Sequence, residues 1–148
     1  MSLFNMKSTE DEMYSMLEEL LLPGERLEAC VTAMIYQTGF FATRYPSAGY
    51  IGLTDSGRLV GWAMHLAGNE RLAVDFAYVT KINMRKPLIS GKLAGQRDIF
   101  IYYNDGKKQQ MHFLMQEKVG GNKFPNQAEN VQRIADELEY LRSTLTNK

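Results

Sequence analysis

The chain has 148 residues, 45% of them apolar, which matches one globular domain with its own core. Its 17 basic and 17 acidic residues cancel, so no overall charge attracts nucleic acid or an anionic surface. The single cysteine, Cys30, excludes an internal disulfide and a metal site built from several thiolates. The longest uncharged run, residues 29–43, is shorter than the roughly 20 residues that span a bilayer. We therefore expect a cytoplasmic protein.

Two amphipathic helices are predicted, one near each end of the chain. Residues 8–21 place apolar side chains at helical spacing, and acidic residues in the first turn suit the positive end of the helix dipole. Pro23 and Gly24 end this helix. Near the C-terminus, Asn126 and Glu129 form a capping box ahead of a second helix of about five turns. The apolar stripe of that helix consists of Val131, Ile134, Ala135, Leu138, Leu141 and Leu145.

Between the helices, the apolar residues recur with a period of two. Residues 27–36 alternate between two faces, as a long half-buried strand requires. The turn sequences "DSG" and "NDGK" predict two hairpins, and Pro87 ends a strand or confines it to an edge. In total, the sequence predicts about seven short antiparallel strands between the helices. Burying their apolar faces requires a β-sandwich or a partly open barrel. We expect a mainly β fold with a C-terminal capping helix and an extra N-terminal helix.

Several stretches in this order resemble the bacterial pleckstrin-homology-like domains. They are "LLPGE" before the first strand, "GYIGLTDSGRLVG" across the second hairpin and "KINMRKPLISG" at the end of a strand pair, followed by the terminal helix. The resemblance covers residues 21–146 and implies two orthogonal antiparallel sheets, of four and then three strands, with the C-terminal helix at one corner. We therefore divide the chain into an N-terminal amphipathic helical extension, residues 1–22, and a pleckstrin-homology-like domain, residues 23–148. The fold hosts binders of lipids, peptides and proteins, so it implies little about activity.

Motifs that would indicate catalysis or metal binding are missing from the sequence. His65 and His112 are the only histidines, and neither lies in an HxH or HExxH arrangement. The stretch "GKLAG" lacks the spacing of a phosphate-binding loop. Cys30 lies in the middle of a strand with no histidine nearby in the sequence. We therefore expect no enzyme activity, no cofactor and no metal.

The charges are unevenly distributed along the chain. Residues 1–25 carry six acidic residues and one lysine, a net of minus five, whereas residues 81–108 carry seven basic and two acidic residues, a net of plus five. One explanation of these charged segments is that they form solvated faces and lysine-bearing strand edges. The alternative is that the basic strands form a patch that attracts anions or a docking site for the acidic helix. Nucleic-acid binding is not expected, because the domain has no net positive charge and the aromatics of "DIFIYY" alternate as in a sandwich strand.

The stretch "TGFFATRYPSAG", residues 38–49, links the first two predicted strands. In lipid-binding members of the family that the chain resembles, this position holds the headgroup with a cluster of basic residues. Here Arg44 is the single basic residue, which argues against phosphoinositide recognition. The candidate binding residues are Phe40, Phe41, Arg44, Tyr45, Arg85, Lys86 and Lys92.

Three hypotheses for the function follow. The first is a non-catalytic binding module that contacts a protein or peptide partner or assembles with itself into an oligomer. The second is weak peripheral contact with anionic lipid, made by residues 38–49 and the basic residues 81–97. The third is a small-ligand carrier or an enzyme that uses the barrel interior, although such an interior is normally filled by side chains.

Overall fold

The computed structural model describes residues 9–38, 44–65, 68–85, 95–119 and 123–146, with side chains for all of these except residues 37–38, 44–45 and 146. Within them, a helix near each end encloses seven strands. In chain order the elements are α1 (Glu10–Glu18), β1 (Leu27–Thr38), β2 (Arg44–Thr54), β3 (Arg58–His65), β4 (Gly68–Asp75), β5 (Val79–Arg85), β6 (Gln96–Asn104), β7 (Lys108–Gln116) and α2 (Gln127–Thr146). The predicted mainly β fold with two flanking helices is confirmed.

The strands of the described residues form one antiparallel sheet in the order β4-β3-β2-β1-β7-β6-β5. The family resemblance implies two separate sheets, of four and three strands. Those two groups are present as β1 to β4 and β5 to β7, but a short ladder joins them into one sheet. In it, Ala33 to Tyr36 of β1 pair with His112 to Met115 of β7.

Alternation along β1 separates the two faces of the sheet. Ala29, Val31, Ala33 and Ile35 belong to an inner cluster that also takes buried side chains from the other six strands and from α2. Because one cluster collects the inner faces of both strand groups, the sheet curves around it. The predicted stripe of α2 supplies four fully or nearly buried residues to this cluster, Val131, Ile134, Ala135 and Leu138.

The first residue of α2 closes a gap between β1 and β7. The two strands stop pairing at Ala33 and Met115. Beyond this pair, the side chain of Gln127 lies between the two strands, and Gln127 is only 2% exposed. Its Oε1 accepts from the Thr32 N–H at 3.0 Å, and its Nε2 donates to Thr32 O at 3.0 Å and to Gln116 O at 2.9 Å. One buried amide thereby pairs backbone groups that would otherwise lack partners.

The predicted strand ends and turns are observed. Gly57 and Gly106 lie in the β2–β3 and β6–β7 turns with φ of +81° and +115°, a conformation that favours glycine. The run before Pro87 forms two short strands, β4 and β5, separated by a 3₁₀ turn at Phe76–Tyr78. β5 ends at Arg85 and forms an edge of the sheet, as the proline requires.

α1 is a short helix that depends on packing for its stability. Thr9 is its N-cap, with Oγ1 accepting from the Glu12 N–H at 3.2 Å, and three acidic residues occupy its first turn. A helix of nine residues is marginal in isolation. Met13 and Leu17 are fully buried, so contact with the sheet stabilises α1.

Candidate binding groove on the outer face of the sheet

α1 lies on the face of β1, β2 and β3 that points away from the inner cluster. Met13 and Leu17 pack there with Cys30, Tyr50 and Val60, and we call these five residues the outer cluster. Burying an apolar side chain of this size contributes about 1.5–3 kcal/mol. The acidic helix therefore docks mainly on the first three strands, and the alternative in which the basic strands receive it is wrong for this chain.

A glycine beneath α1 allows the helix to approach the sheet closely. A Cβ at position 52 would lie 2.8 Å from Leu27 Cδ2 and 3.3 Å from Leu17 Cδ1. Gly52 thus leaves the space that the Leu27 and Leu17 side chains occupy.

The N-terminal end of α1 is held by the segment that precedes α2. The Glu10 carboxylate accepts from Asn126 N at 2.8 Å and from Asn126 Nδ2 at 2.7 Å, and Glu10 N donates to Lys123 O at 3.2 Å. In the predicted capping box, the Asn126 N–H would donate to Glu129. It donates to Glu10 because packing of α1 brings that carboxylate to the start of α2.

The segment after α1 is held by an ion pair that is almost fully removed from water. Arg58 Nε and Nη2 donate to the Glu25 carboxylate at 2.9 and 2.7 Å, and the two side chains are 12% and 2% exposed. Ser56 Oγ and Leu22 N also donate to this carboxylate, and Arg58 Nη2 donates to Leu20 O at 3.0 Å. These donors, above all Arg58, hold the pKa of Glu25 well below its usual range.

Cys30 is a packing residue of the outer cluster. Its side chain is fully buried, and burial raises the pKa of the thiol to about 12. At neutral pH the residue is therefore a protonated thiol.

Next to α1, the outer face of the sheet forms an open groove of about 360 Å³. It is lined by Thr32, Ala33, Met34, Ala48, Gly49, Tyr50, Met64, Leu114, Gln116, Val119, Lys123 and Phe124. Tyr50 belongs to the outer cluster, and Met64 and Phe124 pack against it, so the groove continues the surface on which α1 sits. Met34 and Leu114 face each other across β1 and β7 at its floor.

The chemistry of the groove suits an apolar occupant. Most of its lining is aliphatic, thioether or aromatic, and methionine side chains adapt to differently shaped partners. Thr32, Gln116 and Lys123 add a few polar groups. Thr32 and Gln116 are also the residues whose backbone Gln127 bridges, so the floor has a fixed geometry.

Sequence reasoning missed this groove. Its residues come from β1, β2, β3, β7 and the segment before α2, and no local motif joins them. The available signal was the apolar character of Met34, Met64 and Leu114 at outward positions of their strands.

The structure describes only some of the candidate binding residues that were predicted from the sequence. Phe40, Phe41, Lys86 and Lys92 lie outside the described residues. Arg44 and Tyr45 are the first two residues of β2, and their side chains also lie outside the described part. The stretch 38–49 does link β1 and β2, but six of its residues belong to β2, where Tyr45 pairs with Gln37.

The basic residues 81–97 do not form one continuous cationic surface in the described residues. Arg85 is exposed at the end of β5, with its guanidinium carbon 5.0 Å from the centre of the Phe100 ring. Lys81 is exposed on the same strand, with Nζ 5.7 Å from the Tyr102 ring. Arg97, however, is 8% exposed, donates to Gln96 O and Gln132 Oε1, and pairs with Glu117 at 3.7 Å. Arg97 therefore does not contribute to an exposed basic surface.

A stacked row of rings crosses the outer face of β1, β7 and β6. The His112 ring lies between Tyr36 and Phe100, with centroid distances of 4.4 and 3.8 Å, and His112 Nε2 is 2.6 Å from Asp98 Oδ1. Phe100 is 9% exposed. These rings contact one another, whereas a stacking platform for bases needs free ring faces.

A serine, a histidine and a carboxylate also meet, at the β2, β3 and β4 strands. Ser47 Oγ lies 3.0 Å from His65 Nδ1, and Glu70 Oε2 lies 3.6 Å from His65 Nε2. The carboxylate lies beyond hydrogen-bond distance of the imidazole, and Ser47 is 7% exposed. The His65 side chain is 23% exposed.

Neither a metal centre nor a membrane span is found in the described part of the chain. No group of three or more His, Cys, Asp or Glu residues there is arranged to hold a metal ion. Among the described helices, none is long and apolar enough to cross a bilayer.

Comparison with known proteins supports the fold. No family model matches the sequence, and no curated protein matches it. Among solved structures, the chain is similar to the hSac2 domain from the human phosphoinositide phosphatase Sac2, with a TM-score of 0.52 and 13% sequence identity. The likeness covers 93% of this chain and 86% of that one. At this identity, the likeness establishes that the two chains share a fold.

Proposed function

We propose that this protein is a non-catalytic binding module whose outer groove takes an apolar segment of a protein partner. The observation that carries the proposal is the groove of about 360 Å³ next to α1. This volume lies at the lower end of the range of small binding sites, and its lining combines many apolar groups with a few polar ones, as such sites do.

The way α1 binds indicates which partner the groove suits. α1 places methionine and leucine side chains on the outer cluster, and Trp62 Nε1 donates to the Met16 carbonyl at 2.8 Å. The groove extends the same surface through Tyr50, Met64 and Phe124. We expect it to bind a segment that carries Leu, Met or Phe side chains, as helix and strand ligands of apolar grooves do.

A peptide-display selection on the full chain tests the proposal. Peptides enriched from a random library are then measured by fluorescence polarisation against the wild type, Leu114→Lys and the control Tyr140→Lys. Leu114 lies on the groove floor, whereas Tyr140 is 68% exposed on α2 outside the groove. We expect Leu114→Lys to weaken binding at least about tenfold, which corresponds to about 1.4 kcal/mol, and the control to change it less than about twofold.

Two results would count against the groove. One is a selection that enriches no apolar peptide, and the other is equal binding to both variants. Far-UV circular dichroism and a thermal melt of each variant show whether the fold is retained, so that loss of folding is not taken for loss of binding.

Contact with anionic membranes is the second candidate, favoured by the exposed Lys81 and Arg85 on β5. The domain with a similar fold is part of a phosphoinositide phosphatase. Each cation near anionic lipid contributes about 1 kcal/mol, so we expect weak, salt-sensitive binding. Flotation with phosphatidylserine vesicles measures it, with Lys81→Glu plus Arg85→Glu and Phe40→Ser plus Phe41→Ser as variants. No flotation by the wild type, or no effect of either pair, removes this candidate.

A further inference from the structure

The chain enters α1 at the mouth of the outer groove. Glu10 N donates to the carbonyl of Lys123, and Lys123 and Phe124 are two of the residues that line the groove. The Glu10 carboxylate fixes this end of α1 against Asn126. Residues 1–8, which lie outside the described residues, are therefore tethered within a few residues of the groove.

The composition of residues 1–8 matches the lining of the groove. They include the apolar residues Leu3, Phe4 and Met6 and carry a single charged side chain, that of Lys7. A chain of eight residues reaches about 26–29 Å when extended. Lys123, whose carbonyl accepts from Glu10 N, is itself part of the groove wall, so residues 1–8 are long enough to reach the groove.

On the basis of the proposed function, we propose that residues 3–6 of the same chain occupy the outer groove when no partner is bound. The segment acts as a competitor in cis, so that a partner must displace it. A short tether gives an effective concentration on the order of millimolar, so even a weak intrinsic affinity fills the site. If the segment binds with a dissociation constant of about 0.1 mM, it lowers the apparent affinity for a partner about tenfold.

The first test needs no partner and uses the full chain. In the variant Leu3→Ser, Phe4→Ser and Met6→Ser, the groove loses its apolar occupant, and the control variant Asn5→Ser and Lys7→Ser keeps it. Carbon-13 methyl spectra of the methionines report the groove through Met34 and Met64 and the inner cluster through Met111 and Met115. We expect the triple variant to shift the Met34 and Met64 resonances while those of Met111 and Met115 stay in place. Unchanged Met34 and Met64 resonances would overturn the inference.

The second test connects the segment to the proposed function. Peptides selected for the groove should bind the triple variant about tenfold more tightly than the wild type or the control variant. A free peptide of residues 2–8 should lower that gain when added at millimolar concentration. Equal affinities for all three proteins would overturn the cis competition, while the groove itself would remain supported by the effect of Leu114→Lys. If no peptide is selected, the proposed function fails, and the methionine spectra still decide where the segment lies.

Discussion

Replacing Arg58 with methionine tests the importance of the ion pair between Glu25, in the segment after α1, and Arg58 at the start of β3. The Glu25 carboxylate would remain buried, at 2% exposure, without the two guanidinium donors that lie 2.7 and 2.9 Å away. Removing one partner of a buried pair costs about 3–5 kcal/mol of the free energy of unfolding, and here Ser56 Oγ and Leu22 N would still donate to the carboxylate. For a domain of this size, 1 kcal/mol lowers the melting temperature by about 2–4 °C, so the variant should melt roughly 6–20 °C lower.

The exposed pair of Arg26 and Asp55 supplies the matched control. Arg26 Nε lies 3.8 Å from Asp55 Oδ2, and its side chain is 87% exposed. Exposed ion pairs contribute about 0–1 kcal/mol, so Arg26→Met should change stability little. Urea titrations at pH 7, followed by far-UV circular dichroism, measure both variants. If the free energies of unfolding of Arg58→Met and Arg26→Met differ by less than about 1 kcal/mol, burial does not make the Arg58–Glu25 pair important for stability.

The same pair predicts how stability depends on pH. The pKa of Glu25 is lowered in the folded protein, whereas in the unfolded chain it returns to about 4.3. The unfolded chain therefore binds a proton first as the pH falls, and this contribution to stability is present above about pH 4.3 and decreases below it. The wild type should lose about 1.4 kcal/mol for each pH unit in that acidic range through this group. Arg58→Met should show a shallower slope there.

Other contacts give further expectations. Leu17→Ala should lower the free energy of unfolding by about 2–5 kcal/mol, because Leu17 is fully buried, and the protein should still unfold in a single transition. A separate early transition would instead indicate that residues 1–22 form an independent extension. Gln127→Leu should lower the free energy of unfolding by about 1–3 kcal/mol for each backbone group left unpaired. If this variant is as stable in urea as the wild type, the Gln127 bridge between β1 and β7 does not contribute to stability. Cys30 should resist a thiol reagent at pH 8 until the protein unfolds, since burial raises its pKa to about 12, and rapid labelling would contradict this packing. If the module assembles with itself, light scattering after size exclusion should show more than one copy, and a strict monomer counts against that role.

The elements that the sequence predicts well are those whose periodicity extends over several turns or residues. The α2 stripe, with its apolar positions at helical spacing, forms the buried face of that helix. In β1, alternation assigns Val31 to the inner cluster and Cys30 to the outer cluster. The glycines of the two hairpin turns are also observed where the turn sequences place them.

The features that sequence reasoning missed depend on contacts between distant segments. Glu10 and Asn126 meet although 116 positions separate them, so no local pattern indicates that the Glu10 carboxylate accepts from Asn126. Arg97 adds to the basic count of its region, yet contacts with Gln132 of α2 and Glu117 keep it in the interior. Charge counted along the chain does not distinguish such a residue from the exposed Lys81.

The hydrogen bond from Trp62 to the Met16 carbonyl makes α1 optically observable. Trp62 is the single tryptophan of the chain, so its emission arises from one place, where β3 meets α1. If α1 leaves the sheet, the indole loses an acceptor and a cover of apolar side chains, and its emission shifts to the red while the far-UV signal of the sheet stays constant. The protein thus carries its own fluorescent reporter of helix release, and it requires no attached dye.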